Sequence, residues 1–181
     1  MRLSPQLAFD DWQDLALLRA KARDAKAEGL MLKRADSPYL AGRKKGDGWE
    51  WQLDPLTPGA VSIYAQAGSG RRANLFTDFT FAVWNGDDLV PFTKAYSGLT
   101  DEEFRKITAW VRKNTLQRFG PVRQVTPHHV FEIAFEGIQA STRHKSGVAL
   151  RFPRMARWRQ DKPVKEANTL QDLKDMLATY G

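Results

Sequence analysis

The sequence predicts a mainly β protein with helices, an α+β fold whose larger part is a five-stranded barrel. Short segments of alternating apolar and polar residues, bounded by Gly, Pro, Asn and Asp, predict the strands. A single helix with a complete N-terminal capping signal follows the third strand of the larger part. A hydrophobic content of 42%, with six Trp, predicts a packed core rather than a disordered chain.

The N-terminal part is predicted to contain one helix and two strands. Residues 10–27 begin with Asp10 and Asp11, either of which can cap a helix, and they are rich in Ala, Leu, Arg and Lys. Strands are predicted at 29–34 and 49–53, with a turn-rich basic loop between them. The segment "DPLTPG" then breaks the pattern, which predicts a domain boundary that divides the chain into 1–58 and 59–181.

The second part reads as strand, strand, strand, helix, strand, strand, helix. Asn85-Gly86 predicts a tight turn between the second and third strands. The helix over 99–115 begins with a capping box of Thr100 and Glu103, and Leu99 and Phe104 occupy the staple positions. The last two strands are predicted within 130–138 and 147–159, and the last helix spans 169–180.

Five strands with one helix after the third are the outline of an OB-fold, a small barrel that often binds nucleic acid. An SH3-like barrel or another small β-barrel gives a similar string of elements. The pattern of elements therefore predicts a small barrel and leaves its type open.

The charge distribution favours a polyanionic partner. The chain has a net charge of +7, and residues 143–165 hold eight Lys/Arg against one Asp. Because these cations are interleaved with Phe152 and Trp158, we expect a nucleic-acid surface that includes Arg143 and Lys145. No apolar run reaches 18 residues and the start lacks the apolar stretch of a signal peptide, so we expect a cytoplasmic protein without a membrane partner.

The sequence offers no thiol for chemistry and no set of Cys and His residues that could bind a metal ion. The absence of Cys excludes disulfides, Cys-ligated zinc and thiol catalysis. The histidines are too few and too scattered for a metal set, and His128 and His129 are expected in a loop.

Two short motifs resemble functional sites but lack the required context. Residues 68–73 match G-x-G-x-x-A, yet a strand-like segment follows where a dinucleotide site needs a helix. We expect a hairpin loop there, with Arg71 and Arg72 available to phosphates. Residues 45–48 spell K-x-D-G, the pattern of a nucleotidyltransferase nucleophile. Lys45 is interpreted as a decoy because a glycine-rich loop cannot fix its pKa or its line of attack.

Three separated blocks resemble the fourth, fifth and sixth nucleotidyltransferase motifs of bacterial ATP-dependent DNA ligases. They are "EGLMLKR" at 28–34, "WEWQLDPLT" at 49–57 and "RFPRMARWRQDK" at 151–162. In that family the K-x-D-G nucleophile lies upstream of the first block, whereas here K-x-D-G lies between the first two. The resemblance implies the end of an adenylation domain followed by a complete OB-fold domain, with the nucleophile motif absent from this chain.

The resemblance also implies residue roles and cofactors. Glu28 matches a glutamate that helps to hold Mg²⁺ near the ATP phosphates, and Lys33 matches the closing lysine of the same motif. Asp161 and Lys162 match residues that orient the pyrophosphate leaving group, and Arg159 belongs to that motif. The remaining matches are candidate phosphate contacts on DNA, namely Arg151 and Arg154.

The fifth motif departs from the family pattern at two nucleotide-binding positions. Glu50 and Gln52 stand where the family carries lysines that contact the α-phosphate of ATP. A unit charge pair at ~4 Å in an effective dielectric of ~20 is worth about 4 kcal/mol, so a reversed charge removes a large part of any stabilisation. The site is therefore expected to be damaged on an otherwise intact scaffold.

The first functional hypothesis is part of a ligase that seals nicks in duplex DNA during repair, replication or recombination, but that cannot adenylate itself alone. Its partners would be nicked duplex DNA and the missing N-terminal part of the ligase. The alternative hypothesis is a non-catalytic DNA-binding OB module accessory to a repair enzyme, and a relative of RNA-capping enzymes is a third. Residues 1–57 are expected to be mobile or packed against a second copy.

Overall fold

A computed structural model describes residues 5–42 and 44–181, which form two compact units, Met1–Asp54 and Pro55–Gly181. The boundary predicted from the sequence, after residue 58, lies four residues further along the chain. Residues 1–4 of the first predicted domain and Arg43 of the predicted basic loop lie outside the described residues.

The first unit holds a short helix and a two-stranded antiparallel sheet: α1 (Trp12–Ala20), β1 (Gly29–Lys33) and β2 (Gly48–Gln52). Asp11 caps the helix, and its carboxylate accepts from the backbone N–H groups of Gln13 and Asp14. Leu15 and Ala22 are the buried apolar residues of this unit among those described.

The helix predicted over 10–27 is too long, because the α-helix ends at Ala20. Beyond it, bonds such as Ala22 N–H to the Arg19 carbonyl and Ala25 N–H to the Ala22 carbonyl form tight turns instead. Arg19 and Arg23 donate to the carbonyls of Gln52 and Asp54, and Lys26 adopts φ +56°. Tertiary bonds to the β2 end thus replace the last helical turns and direct the chain into β1.

The second unit contains nine strands and two helices. The first three strands and the helix that follows them are β3 (Gly59–Ala67), β4 (Phe76–Asn85), β5 (Asp88–Ala95) and α2 (Asp101–Lys113). The later elements are β6 (Thr115–Phe119), β7 (Val122–Val125), β8 (Val130–Ala134), β9 (Gly137–Ala140), β10 (Val148–Arg151), β11 (Arg154–Arg159) and α3 (Leu170–Tyr180).

Five of these strands form one antiparallel path in the order β11-β8-β3-β4-β5. Its two ends meet where the backbone N–H of Met155 donates to the carbonyl of Ser97 at 2.9 Å. Gly98, at φ +111°, permits this approach because a Cβ there would collide with the Met155 backbone. The α+β fold with a five-stranded OB barrel, and with a helix after its third strand, is confirmed.

The barrel encloses an aromatic and aliphatic core. Phe81, Phe131 and Met155 are fully buried, and the rings of Phe81 and Phe131 lie 5.4 Å apart. Helix α2 covers this core with Phe104, Ile107 and Val111. Its predicted capping box is confirmed, since Thr100 accepts from the Glu103 N–H and Glu103 accepts from the Thr100 N–H.

The structure adds two hairpins that the sequence pattern did not separate. The β6–β7 hairpin extends the sheet, with β7 paired to β3, and it begins where the predicted helix ends. The predicted strands at 130–138 and 147–159 each divide in two, which leaves β9 and β10 as a separate hairpin. Phe152, at φ +51°, turns the chain between β10 and β11.

Across the described ranges, no helix combines the length and the apolar character needed to cross a membrane.

Candidate nucleotide and nucleic-acid sites

Three predicted nucleotide-binding residues share one face of the β1–β2 hairpin. Glu50 lies opposite Met31, Gln52 opposite Gly29, and Lys33 opposite Gly48. Because residues opposite each other in an antiparallel pair, and those two positions along, face the same way, these side chains project together. The Gln52 amide donates to the Glu50 carboxylate at 3.1 Å. The face therefore carries one cation, Lys33, and one carboxylate, Glu50, which is hydrogen-bonded to Gln52.

The opposite face of the hairpin attaches it to α1. The Trp51 ring meets Trp12 edge to face at 6.4 Å, and the Arg19 guanidinium lies 5.3 Å from the Trp51 ring centroid. These contacts fix which face of the strands turns outward.

Glu28 offers one carboxylate at the entrance to β1, where its carbonyl accepts from the Leu53 N–H at 2.8 Å. The described residues contain no group of three or more His, Asp or Glu side chains arranged to hold a metal ion. Mg²⁺ is commonly held by one or two carboxylates together with substrate phosphates. The role of Glu28 as one such oxygen ligand, in the presence of a nucleotide, stays a prediction.

Lys45 lies in the exposed loop between β1 and β2. The loop is anchored at Asp47, whose carboxylate pairs with Arg34 at 3.2 Å and whose carbonyl accepts from the Arg34 N–H. Lys45 itself lies outside the helices and strands, and its interpretation as a decoy stays a prediction.

The end of β11 gathers the predicted pyrophosphate-orienting residues. The Arg159 guanidinium donates to both carboxylate oxygens of Asp161, at 3.0 and 2.9 Å, and to Glu132 on β8 at 2.8 Å. These bonds to Arg159 lower the pKa of Asp161 to about 2, and bonds to Asp161 and then Glu132 raise the pKa of Arg159. Lys162 follows in the turn, where its N–H donates to the Arg159 carbonyl.

Arg151 and Arg154 flank the turn between β10 and β11. Arg154 donates to the Glu136 carboxylate at 2.7 Å, and the Arg151 guanidinium lies 5.2 Å from the ring centroid of Phe152. The Arg151 carbonyl accepts from the Glu136 N–H. Phe152 is 66% exposed, so this turn presents an aromatic ring between two cations.

Arg143 and Lys145 occupy the loop that joins β9 to β10. Ser141 orders this loop, because its hydroxyl bonds His144 Nδ1 at 2.8 Å and accepts from the Arg143 N–H. The side chains of Arg143, His144 and Lys145 are all exposed. The loop is therefore a compact basic projection.

Arg71 and Arg72 lie in a single 3-10 turn, Gly70–Arg72, and the strand β4 follows as predicted instead of a helix. Arg72 pairs with Asp101 at 2.9 Å and its guanidinium lies 5.1 Å from the Phe104 ring centroid. Arg71 is exposed and makes no ion pair within the described part of the chain. Arg71 is thus the better placed of the two for an external phosphate.

Sequence reasoning missed a further basic group around the β6–β7 hairpin. Arg118 and Arg123 lie directly opposite each other in the register. Partial burial lowers the pKa of Arg123, and the neighbouring positive charges of Arg118 and Arg112 lower it further. The turn-forming "FGPV" between the two arginines is the sequence signal that could have revealed this hairpin.

His128 and His129 lie in the predicted loop, before β8, but His129 belongs to an aromatic cluster. Its ring centroid lies 4.3 Å from Trp110 and 5.0 Å from Trp158. Burial, and then the charge of His128, lower the pKa of His129 to about 4. Within the described structure, His129 Nε2 and Trp158 Nε1 are buried without a hydrogen-bond partner.

Comparisons with known proteins agree with this architecture. The family model "ATP dependent DNA ligase C terminal region" matches residues 72–162. A probable DNA ligase of Koribacter versatilis is 43% identical over 169 residues, covering 93% of this chain and 29% of the relative. A probable DNA ligase of Opitutus terrae is 40% identical over 183 residues, covering 99% of this chain and 18% of the relative.

Solved structures show the same fold at lower identity. The ligase domain of LigD from M. tuberculosis superposes with a TM-score of 0.54 at 19% identity, covering 85% of this chain and 51% of that one. The chain spans less than a third of the length of the two curated relatives above. The family model, the curated relatives and the barrel lead to one conclusion: this chain belongs to the ATP-dependent DNA ligases and contains their C-terminal region.

Proposed function

We propose that this chain is the part of an ATP-dependent DNA ligase that grips nicked duplex DNA through its barrel and contributes one wall of the nucleotide site. The observation that carries the proposal is the concentration of cations on β11, on the β9–β10 loop and on the turn before β11. Phosphate contacts from such cations position a protein on DNA without reading its sequence. We further propose that the ligase seals nicks in cytoplasmic DNA repair, replication and recombination, and membership of the family supports this proposal.

Two groups of cations have distinct roles in this proposal. Arg143, Lys145 and Arg71 are exposed, and they bind the sugar-phosphate backbone. Arg151 and Arg154 flank the exposed ring of Phe152 and position the duplex at the β10–β11 turn, although part of the charge of Arg154 is neutralised by Glu136. Arg contributes more than charge here, because its planar fork matches two phosphate oxygens.

The residues at the end of β11 act on the nucleotide. Asp161 and Glu132 hold the Arg159 guanidinium in one orientation through three hydrogen bonds. A pre-oriented cation of this kind loses little freedom when it meets a phosphate. Lys162, directly after Asp161, is half-buried and is proposed to orient the pyrophosphate.

Within the first unit, the β1–β2 face carries the residues that we expect to contact a nucleotide. Lys33 binds phosphate, while Glu50 and Gln52 offer a carboxylate and an amide where the family carries two lysines. Bound Mg²⁺, with Glu28 as one ligand, would neutralise phosphate charge during nucleotidyl transfer. The family nucleophile motif is not found upstream of residues 28–34 in this sequence, so we expect that these 181 residues do not adenylate themselves.

Adenylation is tested by incubating the 181-residue chain with ATP and Mg²⁺ and measuring its intact mass. We expect no AMP adduct, because Lys45 lies in an exposed loop, whereas a nucleophilic lysine needs fixed neighbours to activate it. An AMP adduct that forms on the unchanged chain but not on the Lys45→Arg variant would contradict two claims: that this chain does not adenylate itself, and that Lys45 is a decoy.

DNA binding is tested with nicked and intact duplexes of one sequence between 50 and 300 mM salt. We expect affinity to fall steeply with salt, by roughly threefold per phosphate contact for a fourfold rise in salt concentration. A DNA affinity that does not change with salt would rule out the cations on β11, on the β9–β10 loop and on the turn before β11 as the DNA surface.

The second candidate function is a non-catalytic DNA-binding module that assists another repair enzyme. The hydrogen bond between Gln52 and Glu50 favours it, because these side chains satisfy each other where the family presents cations. Restoring the lysines with Glu50→Lys and Gln52→Lys discriminates the two candidates. Tighter binding of ATP by the double variant supports a damaged nucleotide site, whereas unchanged binding supports the accessory module.

A further inference from the structure

The β6–β7 hairpin places two arginines directly across from each other. Arg118 and Arg123 are register partners in an antiparallel pair, so both side chains project from the same face. Like charges in this arrangement destabilise a hairpin, and neither residue forms an ion pair with a carboxylate in the described part of the chain. The hairpin therefore holds two positive charges opposite each other, with no carboxylate paired to either among the described residues.

A third arginine reaches the same place from the last turn of α2. Arg112 donates to the carbonyl of Asn74 at 3.0 Å, and the Arg123 guanidinium lies 4.9 Å from the ring centroid of Phe76. The segment 74–76 thus anchors both cations at the start of β4. These contacts use one N–H of Arg112 and a ring face beside Arg123, which leaves most of their guanidinium donors for another acceptor.

The hairpin is held rigidly enough to orient these charges. Strand β7 pairs with β3 at Tyr64, Ala65 and Gln66. Phe119, near the tip, meets the Tyr64 ring edge to face at 6.5 Å. The charges are therefore attached to the barrel wall and do not sit on a loose loop.

The hairpin lies on the same sheet as the strand that carries Arg154 and Arg159. Strands β7 and β8 pair with the same edge of β3, with β8 along residues 59–61 and β7 along 64–66. The loop that carries Arg71 begins immediately after β3 ends. The hairpin thus continues the barrel wall beyond the strands that carry Arg154 and Arg159.

We propose that Arg112, Arg118 and Arg123 form a second contact with the backbone of duplex DNA, in which a phosphate group sits between the opposed arginines. A phosphate would replace their mutual repulsion by two charge-assisted interactions. This proposal rests on the proposed function, because it names a further surface for the same DNA, and it assigns the hairpin a role in binding rather than in folding.

The test compares Arg118→Gln/Arg123→Gln with the unchanged 181-residue chain and with Lys94→Gln/Lys174→Gln. The control also removes two positive charges, from exposed positions on β5 and α3. Binding of a nicked duplex is measured by fluorescence anisotropy from 50 to 300 mM salt, and thermal unfolding is measured without DNA.

We expect the hairpin variant to bind roughly tenfold more weakly at 100 mM salt. Its salt dependence should become shallower by about 0.9 in log–log slope for each phosphate that the variant no longer neutralises. The Lys94→Gln/Lys174→Gln control should change affinity less than threefold. The hairpin variant should also unfold at the same or a higher temperature, since a like-charge pair is removed.

A conservative variant separates charge from geometry. Arg118→Lys/Arg123→Lys keeps both charges but cannot form bidentate bonds, so it should retain the salt slope and recover only part of the affinity. Equal affinity and slope for the hairpin variant and the lysine-to-glutamine control would overturn this inference while leaving the proposed function intact. Absence of salt-dependent binding by the unchanged chain would overturn both.

Discussion

The two units of this chain differ in how much apolar surface each buries within itself. In the barrel unit Phe81, Phe104 and Phe131 are fully buried, whereas the first unit buries Leu15 and the small Ala22 among its described residues. Trp12 and Trp49 of the first unit remain 69% and 54% exposed. A segment of this size with so small a core is marginal without a partner.

The comparison shows that the barrel unit buries a large core of its own, whereas the first unit buries few apolar side chains among its described residues. Exposed aromatic and aliphatic side chains on the first unit support the proposal that it packs against another polypeptide. An adenylation-domain segment of a ligase and a second copy of this chain are the two partners that we predicted from the sequence, and both stay predictions.

Hydrogen exchange offers the largest expected contrast between the units. We expect the backbone amides of β1 and β2 to exchange at least about 100-fold faster than those of β3, β4 and β8. The free energy of local opening is small where few apolar contacts are broken. In a packed core it approaches the global free energy of unfolding. Equal protection of the backbone amides from exchange in both units would contradict the difference in stability, since the first unit would then be stabilised as strongly as the barrel.

Gly98→Ala tests how the barrel closes. Its φ of +111° and the approach of the Met155 backbone both exclude a Cβ, so we expect a loss of at least about 3 kcal/mol in the free energy of unfolding. Gly120→Ala is the matched control, because Gly120 has φ +57° and open space around it, and its cost should be about 1 kcal/mol. Urea unfolding of both variants gives the two free energies. A similar small loss for each would mean that the barrel accommodates a Cβ at Gly98 by a shift of the Met155 backbone.

Acid should weaken the barrel through His129, which gives the smallest of the three effects. Its folded pKa of about 4 lies below the ordinary 6.5, so its contribution is complete above pH 6.5 and is lost as pH falls towards 4. Partial exposure screens the charge, so we expect a difference on the order of 1 kcal/mol, or about 2–4 °C in Tm.

The His129 prediction is checked by comparing Tm at pH 7.5 and pH 4.5 for His129→Gln and for His144→Gln. The first variant should lose part of the pH dependence, whereas the second should keep it because His144 lies in an exposed loop. A pH dependence that is identical in the two variants would place the titrating group elsewhere.

Local sequence signals predicted much of the barrel. The capping box of Thr100 and Glu103, the Asn85-Gly86 turn and the strand after Arg72 follow from short-range chemistry, and the structure contains each of them. The helix over 10–27 failed for the opposite reason. Arg19 and Arg23 bond carbonyl groups more than thirty residues away, which helix propensity does not register.

The candidate site was predictable only as a set of residues. Glu50, Gln52 and Lys33 were named from their motifs, but their common face depends on the register of β1 with β2. The bonds that tie Arg159 to Glu132 depend on the pairing of β11 with β8. The Arg118 and Arg123 pair escaped notice because nothing local places the two side chains opposite each other except the turn between them.

The sequence by itself determined the element types of the barrel, the excess of positive charge and the motifs of the ligase family, because each is written in neighbouring residues. Tertiary structure decided where α1 ends, which cations are already paired with carboxylates and which face outward. Those outcomes depend on contacts between distant segments, whose free energies arise only when strands such as β3, β8 and β11 pair.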